Sequence, residues 1–194
     1  SYEPLLVRSL PVPENLYVTL IYSKVEVPTK DARKLIKDKV QLSKAIKQWG
    51  NIASLVAALY ENDYEEIGRS MQDDIIEPNR SLLIPYFNEM KSISLENKAL
   101  TFGISGSGPS VMALSKSKLD AENIEQKLND FLTIKEIEHL SFVSKINQQG
   151  PYIKHEKWNY TVQIIMIIES ILNKRFFNLC QKIKDCICLC HWKN

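Results

Sequence analysis

Gly103-Ile104-Ser105-Gly106-Ser107-Gly108-Pro109-Ser110 joins two apolar runs, Leu100 to Ile104 before it and Val111-Met112-Ala113-Leu114 after it. Glycines and serines packed between two short β-type runs read as a hairpin turn. Such a turn either supplies positive φ alone or lets backbone N–H groups converge on an anion. It is not a phosphate loop of the Gly-Lys-Ser/Thr type, which opens a helix. Nor is it the dinucleotide fingerprint, because the glycine order is G-x-x-G-x-G and a strand follows.

Working outward from the turn, Leu16-Tyr17-Val18-Thr19-Leu20-Ile21-Tyr22 has the β-branched and aromatic content of a strand inside a sheet. Leu140 to Ile146 is expected as the last strand. Thr29 is placed as the N-cap of a short helix to Lys37, with Asp31 in its first turn. Leu42, Ala45, Ile46, Trp49, Ile52, Ala53, Val56 and Tyr60 recur at helical spacing, which predicts a long helix with this face, Trp49 included, in the core. Asp63-Tyr64-Glu65-Glu66 has the form of a capping box, ahead of Tyr64, Ile67 and Met71 on a buried face. Glu77-Pro78 opens a further helical stretch that Pro85 interrupts, with Phe87, Met90 and Ile93 continuing an apolar face towards Leu95. Asp120 is expected to cap a helix with Ile124, Leu128 and Phe131 inward. The sum is an α+β pattern of about four strands and five helices, without repeats or low-complexity tracts.

Composition narrows the function classes. The 194 residues are 44% hydrophobic and 25% charged, which suits a globular domain and excludes a fibrous or wholly disordered chain. Lys and Arg number 25 against 23 Asp and Glu, so no basic excess is available to hold a phosphate backbone, and nucleic acid is not an expected partner. The opening Ser1-Tyr2-Glu3-Pro4 carries no signal-peptide pattern, and a cytoplasmic location is expected.

The glycine turn resembles the third conserved motif of the GHMP small-molecule kinases, and three other stretches resemble the homoserine kinase family within that superfamily. Val25-Glu26-Val27-Pro28-Thr29-Lys30-Asp31-Ala32-Arg33 is similar to the family's Ser/Pro-Thr-x-x-x-Arg segment. Asp73-Asp74-Ile75-Ile76-Glu77-Pro78-Asn79-Arg80, followed by Leu83-Ile84-Pro85-Tyr86-Phe87, resembles its Asp…Glu-Pro-x-Arg…Ile-Pro-x-Phe stretch. Val7-Arg8-Ser9-Leu10-Pro11-Val12-Pro13 is similar to the lead-in. The matches fall in family order over roughly residues 5 to 153.

The resemblance implies a GHMP kinase C-terminal domain over 1–154, a sheet of about four antiparallel strands packed with helices. It implies ATP and Mg2+ as cofactors and L-homoserine as the substrate, phosphorylated on its side-chain hydroxyl on the way to threonine. The family's Gly-Leu-Gly-Ser-Ser-Ala phosphate loop occurs nowhere in the sequence, so the chain is expected to be the second half of the enzyme and inactive alone, with its catalytic residues in the other half. Phosphoryl transfer needs aligned oxygens and cations where negative charge builds up. Arg33 and Arg80 are therefore expected to bind substrate, since a guanidinium can grip a carboxylate with two parallel hydrogen bonds. Thr29, one turn before Arg33, joins them. Ser105, Gly106, Ser107 and Gly108 are expected beside the phosphates, shaping the site. The bland alternatives are solvated arginines and a helix cap. Other outcomes are a non-catalytic module that holds a small molecule or a partner, and a kinase for another small alcohol. A homodimer is left open. His139 and His155 match no family position.

Residues 155–194 read as a different kind of sequence. All six glycines and all eight prolines lie at or before Pro151, while all four cysteines lie between Cys180 and Cys190. The apolar run at 160–172 is interrupted by Gln163, Glu169 and Ser170 and is too short for a membrane span, so a helix continuing through Phe176, Phe177, Leu179 and Ile183 is expected instead. The spacing Cys180, Cys186, Cys188, Cys190, His191 fits no paired Cys-x2-Cys zinc arrangement, and no metal site is expected. Nothing in the kinase family corresponds to this tail. Its abrupt composition suits a disrupted reading frame or a misplaced gene boundary better than an evolved module.

Overall fold

A computed structural model describes residues 8–25 and 39–148. The helix expected at Thr29–Lys37, with Thr29 and Arg33, and the Cys-containing tail lie outside the described residues. The strands are β1 (Tyr17–Ser23), β2 (Thr101–Ile104), β3 (Val111–Ser115) and β4 (His139–Lys145). The helices are α1 (Leu42–Glu61), α2 (Tyr64–Ser70), α3 (Glu77–Arg80), α4 (Phe87–Glu96) and α5 (Lys118–Ile134), with a 3-10 turn at Ser81–Leu83 after α3. The four strands form one sheet in the order β2-β3-β1-β4, every neighbouring pair antiparallel. The α+β class and the four-stranded antiparallel sheet are as expected.

β1 lies inside the sheet with helices over both faces, which is why its apolar residues run almost unbroken. Ile21 packs with α4 and α5 through Phe87, Met90, Ile124, Leu128 and Leu132. Val18 and Leu20 pack on the opposite face with Leu55, Ala58, Leu59 and Ile67 of α1 and α2. Thr19, the polar residue within the strand, is fully buried and donates to the Ala121 carbonyl at 2.8 Å, tying β1 to the first turn of α5. That bond removes the cost of burying its hydroxyl.

Three local expectations need correction. The span expected of α1 is right, but the buried face is formed by Ala45, Gln48, Asn51, Leu55, Ala58 and Leu59. Trp49 is 39% exposed and is not core. This helix is apolar on two sides, so periodicity could not tell which side the sheet covers. Asp63 does cap α2, its Oδ1 accepting from the N–H groups of Glu65 and Glu66 at 3.0 Å. Glu66 does not complete the box: it pairs with Arg69, and the Asp63 N–H bonds to the Ala58 carbonyl. The cap of α5 is Ser117 rather than Asp120. Ser117 Oγ accepts from the Asp120 N–H at 3.1 Å and donates to its carboxylate at 2.6 Å. Asp120 is thus the third helical residue, bonded to the cap's hydroxyl, and Leu132 and Ala121 are more deeply buried than Phe131.

Among the described residues no helix is long and apolar enough to cross a membrane.

Candidate functional site

The register gathers the chemistry at one end of the sheet. Ile104 pairs with Val111, Ile21 pairs with Val111, and Ser23 pairs with His139. The turn 105–110 therefore projects from the end at which β1 finishes. Within the turn, the Ser105 N–H donates to the Ser110 carbonyl at 2.8 Å and the Gly108 N–H to the Ser105 carbonyl at 3.1 Å. Gly106 and Gly108 have φ of 63° and 78°, a left-handed conformation that a side chain resists, and the Gly108-Pro109 bond is cis. Two features of the turn suit anion binding. The N–H groups of Gly106 and Ser107 make no backbone hydrogen bond among the described residues. Ser105 is buried, and its Oγ has no hydrogen-bond partner there. A buried hydroxyl left without a partner costs free energy unless something fills the position.

The turn is docked on the second sequence-predicted element. A Cβ on Gly108 would come within 3.3 Å of Ile84 Cδ1 and 3.8 Å of Ile84 Cγ1. Ile84 is buried with Ile104 and Val111, directly after the 3-10 turn that continues α3. Arg80 occupies the last position of α3 and is half-buried, not a fully solvated residue.

The segment before α3 is held from two sides. Asp73 Oδ1 accepts from the N–H groups of Ile75 at 3.0 Å and Ile76 at 2.8 Å. From α1, Gln48 Oε1 accepts the Asp74 N–H at 3.1 Å, and Lys47 Nζ lies 2.9 Å from Asp74 Oδ2. Glu77, at the start of α3, is buried and pairs with Lys91 Nζ of α4 at 2.9 Å. Lys91, Lys47 and Gln48 were not singled out by sequence, because no local pattern shows which carboxylate or amide a residue many positions away will meet.

The structure thus packs Ile84, four residues along the chain from Arg80, beside the Ser105–Gly108 turn. Thr29 and Arg33 lie outside the described residues. Among the described residues no cluster of three or more His, Cys, Asp or Glu could hold a metal ion.

Comparison with known proteins bears on the fold and the family. The family described as GHMP kinases C terminal matches residues 55–134. Homoserine kinase of Chloroherpeton thalassium is 39% identical over 154 residues, covering 79% of this chain and 48% of that protein. The crystal structure of homoserine kinase from Cytophaga hutchinsonii superimposes with a TM-score of 0.73 at 50% identity, over 76% of this chain and 47% of that one. A Streptococcus pneumoniae phosphomevalonate kinase shares the fold at 18% identity and a TM-score of 0.52. The chain spans about half the length of the curated relatives it matches. Residues 55–134 match the GHMP kinase C-terminal family, and the chain is a homologue of the homoserine kinases over about half of their length.

Proposed function

We propose that this chain supplies the C-terminal half of an ATP-dependent kinase that phosphorylates the side-chain hydroxyl of L-homoserine. What supports the reading is the packing of the glycine turn near Ile84, which follows Arg80 by four residues, together with the anion-suited groups of that turn. In the proposed reaction the homoserine oxygen forms a bond to the γ-phosphorus of ATP, the bond from that phosphorus to the β-γ bridging oxygen breaks, ADP leaves, and the hydroxyl proton passes to solvent. ATP and Mg2+ supply the transferable phosphoryl group and its charge neutralisation.

The described residues fit a supporting role towards that nucleotide. The N–H groups of Gly106 and Ser107 and the partnerless Ser105 hydroxyl suit phosphate oxygens. Arg80, with Thr29 and Arg33 from the segment after β1, would hold the homoserine carboxylate and so fix the reacting hydroxyl in place. Residues 1–154 would form the kinase domain, with 155–194 an appended tail. The compartment that accompanies the reaction is the cytoplasm.

The test joins this chain to the amino-terminal half of the Chloroherpeton thalassium homoserine kinase and follows ADP release with L-homoserine. Homoserine-dependent turnover by the chimera, with none by the chain alone, is the expected result. A folded chimera that binds ATP yet releases no ADP with homoserine would overturn the substrate assignment.

A further inference from the structure

Two amides stand on the buried face of α1, in line with Ala45, Leu55 and Ala58. Gln48 is 8% exposed and Asn51 is 7% exposed, one helical turn apart. Burying an amide costs free energy unless its polar atoms find partners, so an apolar residue at either position would serve packing better. Both amides find their partner in one loop, 71–76. Gln48 Oε1 accepts the Asp74 N–H at 3.1 Å, and Asn51 Nδ2 donates to the Gln72 carbonyl at 3.4 Å. Lys47, beside Gln48, reaches the Asp74 carboxylate at 2.9 Å.

That loop carries α3. Residues 71–76 have no regular secondary structure, and α3 is a single turn of four residues with no side chain capping it. A helix so short does not hold its own shape in water. Its backbone is fixed from the loop: the Arg80 N–H donates to the Ile76 carbonyl at 3.0 Å, and Asn79 Nδ2 donates to the Ile75 carbonyl at 3.1 Å. The loop is fixed in turn by α1, a helix of 20 residues anchored on the sheet through Leu55, Ala58 and Leu59. A bonded path therefore runs from the two amides through the loop to the last residue of α3. A guanidinium that grips a carboxylate with two parallel hydrogen bonds tolerates little rotation, so the placement of this turn matters to binding.

We propose that Gln48 and Asn51 are positioning residues for Arg80: they hold loop 71–76 so that the guanidinium meets a substrate carboxylate squarely. The proposal rests on the reading of Arg80 as the residue that grips the carboxylate of homoserine.

Gln48→Leu and Asn51→Leu fill nearly the same space without the hydrogen bond. In the full chain, each should speed amide hydrogen exchange at 74–80 about fivefold or more, with the amides of β1 and β3 unchanged. In the chimera with a relative's amino-terminal half, each should raise the KM for L-homoserine about three- to tenfold while kcat and the KM for ATP stay within about twofold, the pattern of lost uniform binding. In an Arg80→Lys background the same substitutions should add little, because they act only through the placement of that guanidinium. Two independent positions keep the test alive if one variant fails to fold. Unchanged exchange at 74–80 overturns the proposal, as does a loss fully additive with Arg80→Lys, which would mark a general effect on stability. A parent chimera that binds ATP without homoserine-dependent turnover overturns the reading of Arg80 and this proposal with it. An active parent whose variants keep its KM for homoserine overturns this proposal alone.

Discussion

Gly108 faces Ile84 so closely that a Cβ on the glycine would stand 3.3 Å from Ile84 Cδ1, tighter than ordinary packing. That closeness couples the geometry of the glycine turn to the α3 segment that carries Arg80. A change at Gly108 therefore has two consequences, one on stability and one on the site.

Gly108→Ala forces an L side chain into φ of 78° and pushes its Cβ to 3.3 Å from Ile84 Cδ1. Left-handed strain and overpacking together should cost about 2 to 3 kcal/mol. Gly106→Ala keeps the strain, at φ of 63°, but meets open space and should cost about 1 kcal/mol. Urea unfolding of the two variants checks the order. Equal losses would show that the Ile84 contact is soft.

Gly68 presents a tighter case. A Cβ there would lie 2.4 Å from the Leu100 carbonyl oxygen, which is backbone and cannot swing aside. Gly68→Ala should destabilise by about 2 to 3 kcal/mol despite the better helix propensity of alanine, worth about 1 kcal/mol. Thermal melts of the two proteins decide it, and a rise in melting temperature would show that α2 is free to shift away from Leu100.

Asp73 accepts two backbone N–H groups at the entry to α3, and no side chain caps the helix itself. Asp73→Ala should cost about 1 kcal/mol, as loss of a helix cap does. It should also loosen the turn carrying Arg80. Faster amide hydrogen exchange at 75–80, with the β-sheet amides unchanged, is the expected signature. Uniform acceleration across the domain would mean that Asp73 acts on global stability alone.

What could be read in the sequence followed the range of the interactions. β1 was legible because a strand buried on both faces is apolar at nearly every position, and the hairpin because Gly106 and Gly108 punctuate it. The buried face of α1 was not, since Trp49 and Leu55 are equally apolar and only the sheet distinguishes them. Ser117 and Asp120 are both good caps three residues apart, and their reciprocal bonding emerges only from coordinates. Arg80 and the glycine turn were visible as motifs. The approach of Ile84 to Gly108, and the hold of Lys91 on Glu77, depend on packing between segments distant in sequence.

Glu66 and Arg69, one turn apart on α2, give a small pH signature. Hydrogen bonding to the Arg69 guanidinium, reinforced by its charge, holds the Glu66 carboxyl below its ordinary value. A carboxylate whose pKa is lowered by folding stabilises the protein above its unfolded value and loses that contribution as pH falls through the folded one. Both groups are open to solvent, so the effect is slight. Glu66→Gln should lower stability slightly at neutral pH, by no more than an exposed pair contributes, and converge on the parent protein in acid. A loss of stability at neutral pH well beyond that of an exposed pair would point to a further role for Glu66 at the start of α2.

Arg80 is the most direct test of the substrate assignment. If its guanidinium grips the homoserine carboxylate, Arg80→Lys keeps the charge and loses the planar fork that makes two parallel hydrogen bonds. In the chimera with a relative's amino-terminal half, that loss should cost about 1.5 to 3 kcal/mol, or roughly 10- to 150-fold in kcat/KM for homoserine. The KM for ATP should hold, because on the proposed reading the phosphates are assigned to the glycine turn and the amino-terminal half rather than to this residue. Arg80→Lys should also leave the melting temperature within a few degrees, since α3 is fastened by Asp73 at its entry and by Lys91 on Glu77. An unchanged kcat/KM for homoserine would return Arg80 to a structural role at the end of α3. A parallel rise in the KM for ATP would move it from the amino-acid carboxylate to the phosphates.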